Sequence, residues 1–207
     1  DEDVRAVLEG EGGVFSGAKP GTVVAVHSTT SPATCRALAE SGAVRGVVVL
    51  DAPVSGGPDA ALAGSLVCAV GGDGAALDRC RPVLKAFADL VVHLGNVGSA
   101  QVAKLVNNAL FAANLAVADD ALRLGELLGI DPDALAQVLQ RGSGTSRGVS
   151  VAHRIRTSTE TRRRALEPLE KDVRCLTADA ASAESAAVPL LTEAAQEAIR
   201  RLAKEES

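Results

Sequence analysis

A chain of 207 residues that is 47% hydrophobic and 23% charged carries enough apolar content to bury a sizeable core in one or two domains, which excludes a disordered tail. Its net charge of -5 and pI near 5.3 exclude a general nucleic-acid binder, which needs a basic face. The one local exception, Arg154, Arg156, Arg162, Arg163 and Arg164, reads as a solvated loop or helix face.

The first half of the chain is punctuated. Short Val- and Leu-rich runs at 22–27, 44–50, 66–70 and 90–94 are bounded by Gly, Pro, Ser or Asp, as buried strands are. Between them, 33–41 is opened by Ser31-Pro32 and closed by Gly42, which is helix-capping chemistry, and 75–88 is a second amphipathic candidate. Strands alternating with helices predict an α/β layer with a largely parallel sheet. From Ser99 the pattern changes. Residues 99–128 contain no Pro and keep apolar residues at Val102, Leu105, Val106, Leu110, Leu115, Val117, Leu122, Leu124 and Leu127 before Gly129. A helix of that length spans about 45 Å, and because it is apolar around most of its circumference it should be buried in a bundle or shared with another subunit. Asp131-Pro132 starts a shorter helix to about Gln140, 141–148 reads as a loop, and Pro168 onward reads as two helices split near Pro189. The second half is therefore all-α, and no internal repeat is visible.

Cys35, Cys68, Cys80 and Cys175 form no C-x-x-C pair and no charged-then-apolar leader is present, so a reduced, cytoplasmic protein is expected. His27, His93 and His153 have no metal-ligand spacing and read as core or surface histidines. The most hydrophobic segment, 102–118, contains Lys104 and three asparagines, so no membrane span is expected.

The segment from Gly95 to Asn108, GNVGSAQVAKLVNN, runs a Gly-rich turn into the long helix and puts Lys104 and Asn108 on one face, a turn apart. An ammonium and a carboxamide so placed can reach one small polar group, which suits proton transfer. Some forty residues earlier, Asp51-Ala52-Pro53-Val54-Ser55-Gly56-Gly57 is a turn-forming run after an apolar stretch.

With His27-Ser28-Thr29-Thr30-Ser31-Pro32, Gly71-Gly72 and Leu169-Glu170-Lys171-Asp172, these segments resemble, in order and spacing, the β-hydroxyacid dehydrogenase family, whose members include 3-hydroxyisobutyrate, tartronate-semialdehyde and 6-phosphogluconate dehydrogenases. The resemblance covers most of the chain. It implies a Rossmann-type NAD(P)-binding domain at 1–98 and an all-helical substrate and dimerisation domain at 99–207, built on one long inter-domain helix. It implies that Lys104 is the general acid/base on the substrate oxygen during hydride transfer, and such a lysine must give up its charge easily. Asn108 is implied as the substrate-orienting amide, and Asn107 lies on a different face. Ser55, Gly56 and Gly57 match the loop that holds the substrate carboxylate through backbone N–H groups. Thr29 matches a cofactor contact near a strand end, and Lys171 matches a lysine of the helical domain that reaches the cofactor.

The departures are equally specific. The family opens on strand, G-x-G-x-x-G and helix, which hold the pyrophosphate. Here Gly10-Glu11-Gly12-Gly13 runs into Val14 and Phe15 without a preceding strand, and Gly142-Ser143-Gly144 with Gly148 has the wrong spacing. No Gly-rich C-terminal segment is recognisable in 200–207. Asp1 aligns inside the family's first domain, and because half a Rossmann sheet would expose a strand edge and a bare apolar face, we expect an incomplete polypeptide in preference to a shortened relative. The expected function is an NAD- or NADP-dependent dehydrogenase or reductase of a small 3-hydroxy acid or its semialdehyde. The competing expectation is a catalytically silent binding or dimerisation protein of the same fold. Imine reductases share the fold but replace the lysine, so Lys104 argues against them. The expected partners are a small carboxylate substrate and other copies of the chain, as a dimer or tetramer through the helical domain, with no nucleic acid or membrane.

Overall fold

The computed structural model describes residues 1–182 and 189–204. The chain divides into two compact units, Asp1–Lys104 and Leu105–Ser207. In the first, the elements are α1 (Glu2–Glu9), α2 (Val14–Gly17), β1 (Val23–Val26), α3 (Pro32–Ala43), β2 (Val48–Asp51), β3 (Val54–Ser55), α4 (Gly57–Leu62), β4 (Leu66–Val70), α5 (Gly74–Leu84) and β5 (Ala88–His93). The long helix α6 (Ser99–Leu127) belongs to both units, and α7 (Pro132–Arg141), α8 (Arg147–Thr157), α9 (Thr159–Ser182) and α10 (Pro189–Lys204) complete the second.

Strand periodicity builds the first unit. β1 and β2 pair in parallel, Val23 with Val48 through Val26 with Asp51. Because successive side chains point to opposite faces, Val26, Val47 and Val49 pack with Leu8, Phe15, Cys35 and Leu38 in one cluster. Leu50 packs in another with Leu66, Cys68, Val70, Leu77 and Leu84. Helices on both faces make this a doubly wound α/β layer, as expected. β4 and β5 are also parallel, whereas the two-residue β3 runs antiparallel to β4. An isolated bridge between Asp51 and Gly71 joins the ends of β2 and β4.

Two boundaries differ from expectation. α5 ends at Leu84, two residues after its internal Pro82, and Ala88 already opens β5, so the second amphipathic segment of the sequence is a helix end plus a strand start. Residues 44–46 form the turn into β2, with Gly46 at φ 69° and the Gly46 amide bonded to the Ala43 carbonyl. Gly10 follows a helix, α1, and its amide bonds to Ala6 O.

In the second unit one stripe of α6, Ala109, Ala112, Leu115, Ala118 and Leu122, is buried with Ala136, Ile155, Leu166, Leu169, Val173 and Leu202. Leu110, Val117, Leu124 and Leu127 on α6 stay exposed, so the chain itself covers only part of the apolar circumference. α9 begins at Thr159, nine residues before Pro168, which lies inside it. The bond lost at the proline is outweighed by Leu166 and Leu169, which are both buried. The segment read as a loop to Gly148 closes earlier, because Ser146 accepts from Val149 N and caps α8.

The basic cluster is also not uniformly solvated. Arg162 is buried and donates to Leu202 O at 3.2 Å, satisfying a carbonyl in the last turn of α10. Arg156 pairs with the buried Asp119, which also holds Arg123 at 2.8 Å, and with Glu126. Charged side chains recruited as ties between α8 and α6, and between α9 and α10, cannot be told from a solvated run by spacing alone. Arg163 and Arg164 do lie exposed, paired with Glu160.

Gly148 lets α8 begin against α6. An added Cβ there would lie 2.6 Å from the carbonyl carbon of Asn114 and 2.7 Å from its oxygen, both backbone atoms that cannot swing aside. Gly148→Ala is therefore expected to destabilise the helical unit by about 1–3 kcal/mol, read as a lower urea midpoint. Gly144→Ala, whose Cβ would meet only Leu139 Cδ2 at 3.9 Å, serves as the control. It is expected to stay within about 0.5 kcal/mol of the parent.

Candidate active site

One segment, 51–57, makes two of the attachments of α6 within the first unit. Asp51, fully buried at the end of β2, accepts from Gly98 N at 2.8 Å through Oδ1 and from Gln101 N at 3.0 Å through Oδ2. These are amides of the first turn of α6, which has no intrahelical acceptor for them, and a carboxylate there also suits the helix dipole. Three to four residues further on, Lys104 Nζ donates to Val54 O at 2.9 Å and to Ser55 Oγ at 3.1 Å. The helix rises about 9 Å between Gly98 and Lys104. Three residues of extended chain cover about 10 Å, so the two segments stay in step.

The same segment then turns sharply. Gly56 and Gly57 have φ of 133° and 77°, which side chains rarely adopt, and a Cβ on Gly56 would lie 2.6 Å from that of Ala60. The structure therefore joins Lys104 and Ser55 directly, with the two glycines beside them in sequence.

In the second unit, Asn108 is buried and donates from Nδ2 to Asp172 Oδ2 at 2.6 Å, while its Oδ1 accepts from Asn107 Nδ2 at 3.0 Å. These two contacts assign which end of the Asn108 amide is which. Asp172 is itself buried, and Lys171 Nζ lies 3.4 Å from its Oδ1 as an ion pair, not an aligned hydrogen bond. The Lys171 side chain is about half exposed, at 52%. Lys104 and Asn108 sit four residues apart on one continuous helix.

Thr29 lies on the turn between β1 and α3. Its neighbours are fixed by the buried Gln101, whose Oε1 accepts from Thr30 N at 3.2 Å and whose Nε2 donates to Ser28 O at 2.9 Å. Asp51, Gln101 and Asp172 are the polar residues of this region that sequence reading passed over as site candidates. Asp51 opens one quoted motif and Asp172 closes another, while Gln101 lies one turn before Lys104. Each was visible as a polar residue in an apolar context, but its partner is long-range.

Other chemistry is thinly supported among the described residues. No group of three His, Cys, Asp or Glu could hold a metal ion. No disulfide joins any of the four cysteines. Desolvation pushes the Cys35 and Cys68 thiols above their usual range, which makes them poor nucleophiles. His27 uses Nδ1 on Ala52 O and His93 uses Nε2 on Gly72 O, as structural histidines do. No described helix is long and apolar enough to cross a membrane.

Two family models account for nearly all of this chain. That for the NAD-binding domain of 6-phosphogluconate dehydrogenase matches residues 1–95, and that for the NAD-binding domain of NADP-dependent 3-hydroxyisobutyrate dehydrogenase matches residues 98–207. A 2-(hydroxymethyl)glutarate dehydrogenase of Eubacterium barkeri is 37% identical over 69% of this chain and 48% of its own length. A 3-hydroxyisobutyrate dehydrogenase of Pseudomonas aeruginosa is 38% identical over the same shares, so the chain spans about half the length of the curated relatives it matches. The crystal structure of a 3-hydroxyisobutyrate dehydrogenase from Salmonella typhimurium superposes with a TM-score of 0.83 at 28% identity, over 99% of this chain and 70% of that one. With the motifs, the α/β unit, the long helix and the helical unit all matched, the chain belongs to the β-hydroxyacid dehydrogenase family.

Proposed function

We propose that the protein containing this chain is an NAD- or NADP-dependent dehydrogenase or reductase that interconverts a small 3-hydroxy acid and its semialdehyde. The observation that carries this reading is the attachment of Lys104 Nζ to Val54 O and Ser55 Oγ. It brings a proton-transferring group to the loop that family membership associates with a carboxylate. The relatives' names support the substrate class: 3-hydroxyisobutyrate and 2-(hydroxymethyl)glutarate both carry a primary hydroxyl on the carbon β to a carboxylate. A carboxylate on the Ser55-Gly56-Gly57 backbone would put such a hydroxyl within a few bonds of Lys104.

When bound, the nicotinamide cofactor supplies the hydride acceptor or donor. In the first unit Thr29, on its clamped turn, offers a polar contact, and in the second Lys171 on α9 offers one. The pyrophosphate end has no fit in this chain. None of the strand-to-helix turns has the G-x-G-x-x-G spacing, and the N-terminus of α3 is closed by the Ser31 side chain and by Pro32. Lys104 takes the hydroxyl proton at Nζ in oxidation and returns it to the carbonyl oxygen in reduction. Asn108 orients that oxygen, and Asp172 holds the amide in one of its two flips. Four cysteines without a disulfide support a reducing, cytoplasmic setting. Exposed Leu110, Val117, Leu124 and Leu127 support pairing of copies through the helical unit, so light scattering should read a dimer or tetramer.

In the intact protein, Lys104→Ala should lower kcat for a 3-hydroxy acid by about 10²–10⁴ with cofactor binding retained. An unchanged kcat would remove Lys104 from the reaction and the proposal with it. Asp172→Ala should raise KM more than Asp172→Asn, because asparagine keeps an oxygen to accept from Asn108. Equal kinetics for the two variants would show that the 2.6 Å contact does not orient the amide.

A further inference from the structure

We propose that Gln101 is a positioning residue for cofactor binding, acting through Thr29; this rests on the reading of Thr29 as a cofactor contact. Gln101 is fully buried, in the first turn of α6, and its side-chain amide grips one turn of backbone at two points. The grip straddles a single residue: Ser28 O is held on one side and Thr30 N on the other, with Thr29 between them. A carboxamide matches this task because it presents one acceptor and one donor in a plane, as a paired peptide group would. The main chain of Gln101 is fixed as well, since its N–H donates to Asp51 Oδ2 at 3.0 Å. The turn carrying Thr29 is therefore tied to the same helical turn that leads to Lys104, and both are referred to Asp51. Thr30 is secured further by its hydroxyl, 3.2 Å from Cys35 Sγ. What distinguishes a positioning role is that the residue between the two bonds is the one whose direction matters.

The test is a binding measurement on the intact protein, using NADH and NADPH fluorescence titration. Gln101→Met keeps the length and removes both polar atoms; it should raise the dissociation constant of the preferred cofactor about tenfold. The Thr30 amide should then exchange with deuterium faster than in the parent. Thr29→Val should also weaken binding, and because Gln101 acts through Thr29, the double variant should bind no more weakly than the weaker single one. Gln101→Glu keeps an acceptor for Thr30 N but loses the donor to Ser28 O and faces that carbonyl with a buried carboxylate, so it should weaken binding at least as much as Gln101→Met. Its own cycle with Thr29→Val serves if the methionine variant does not fold. A constant within twofold of the parent despite faster Thr30 exchange overturns the proposal, as do additive losses, which would mark Gln101 as a general structural residue. A parent protein that binds neither cofactor would instead overturn the proposed function, on which this role depends.

Discussion

The structure of the first unit depends on where one buried carboxylate finds its donors. Asp51 is fully buried, and its two oxygens are taken by Gly98 N and Gln101 N, amides at the start of an incoming helix that lack an intrahelical acceptor. Leaving either side of such an arrangement unmade would strand a buried polar group, so the contact acts as a lock on position more than as a simple source of stability. Its surroundings are built to match. The backbone of Asp51 bridges Gly71 in both directions, and a Cβ at Gly71 would lie 2.4 Å from Asp51 Oδ1 and 2.7 Å from Asn96 O. The Gly71-Gly72 pair of the sequence is thus a requirement of the carboxylate's seat. Because 51–55 is one short segment, fixing Asp51 against the helix start also fixes Val54 and Ser55 against Lys104.

This arrangement explains why some of the chain was readable and some was not. β1, β2, β4, α3, α6 and α7 each declare themselves through local pattern: continuous Val- and Leu-rich runs bounded by turn residues in the strands, a Ser31 cap that accepts from Thr34 N, an Asp131 cap that accepts from Ala134 N, and an uninterrupted apolar helix. Lys104 and Ser55 were legible as candidates because a family pattern joined two distant motifs, and the structure puts them 3.1 Å apart. What escaped reading is held by long-range polar pairing. Arg162 is buried because Leu202 offers it a carbonyl forty residues away, and α9 passes through Pro168 because its neighbours are packed. Asp51, Gln101 and Asp172 could be seen as polar residues in the motifs, but nothing local says whether such a residue serves the backbone or a ligand. In all three cases it serves the protein first: a helix start, a turn, and the amide of Asn108.

Lys104 and Asn108, the pair proposed for the reaction, fall on either side of the division between the two units. Lys104 is the last residue of the first unit and is held there by Val54 and Ser55; Asn108 is in the second and is held there by Asp172. Each side chain is thus oriented from within its own unit. The offset between them is set by neither set of contacts, because both residues belong to α6, and four residues of helix fix a rise of about 6 Å and a shared face. The roles proposed for Lys104 and Asn108 call for a constant separation, and a continuous helix provides it more reliably than two loops could. The long apolar helix that first suggested a bundle therefore has a second task at its entrance, where its backbone serves as the ruler between two polar side chains.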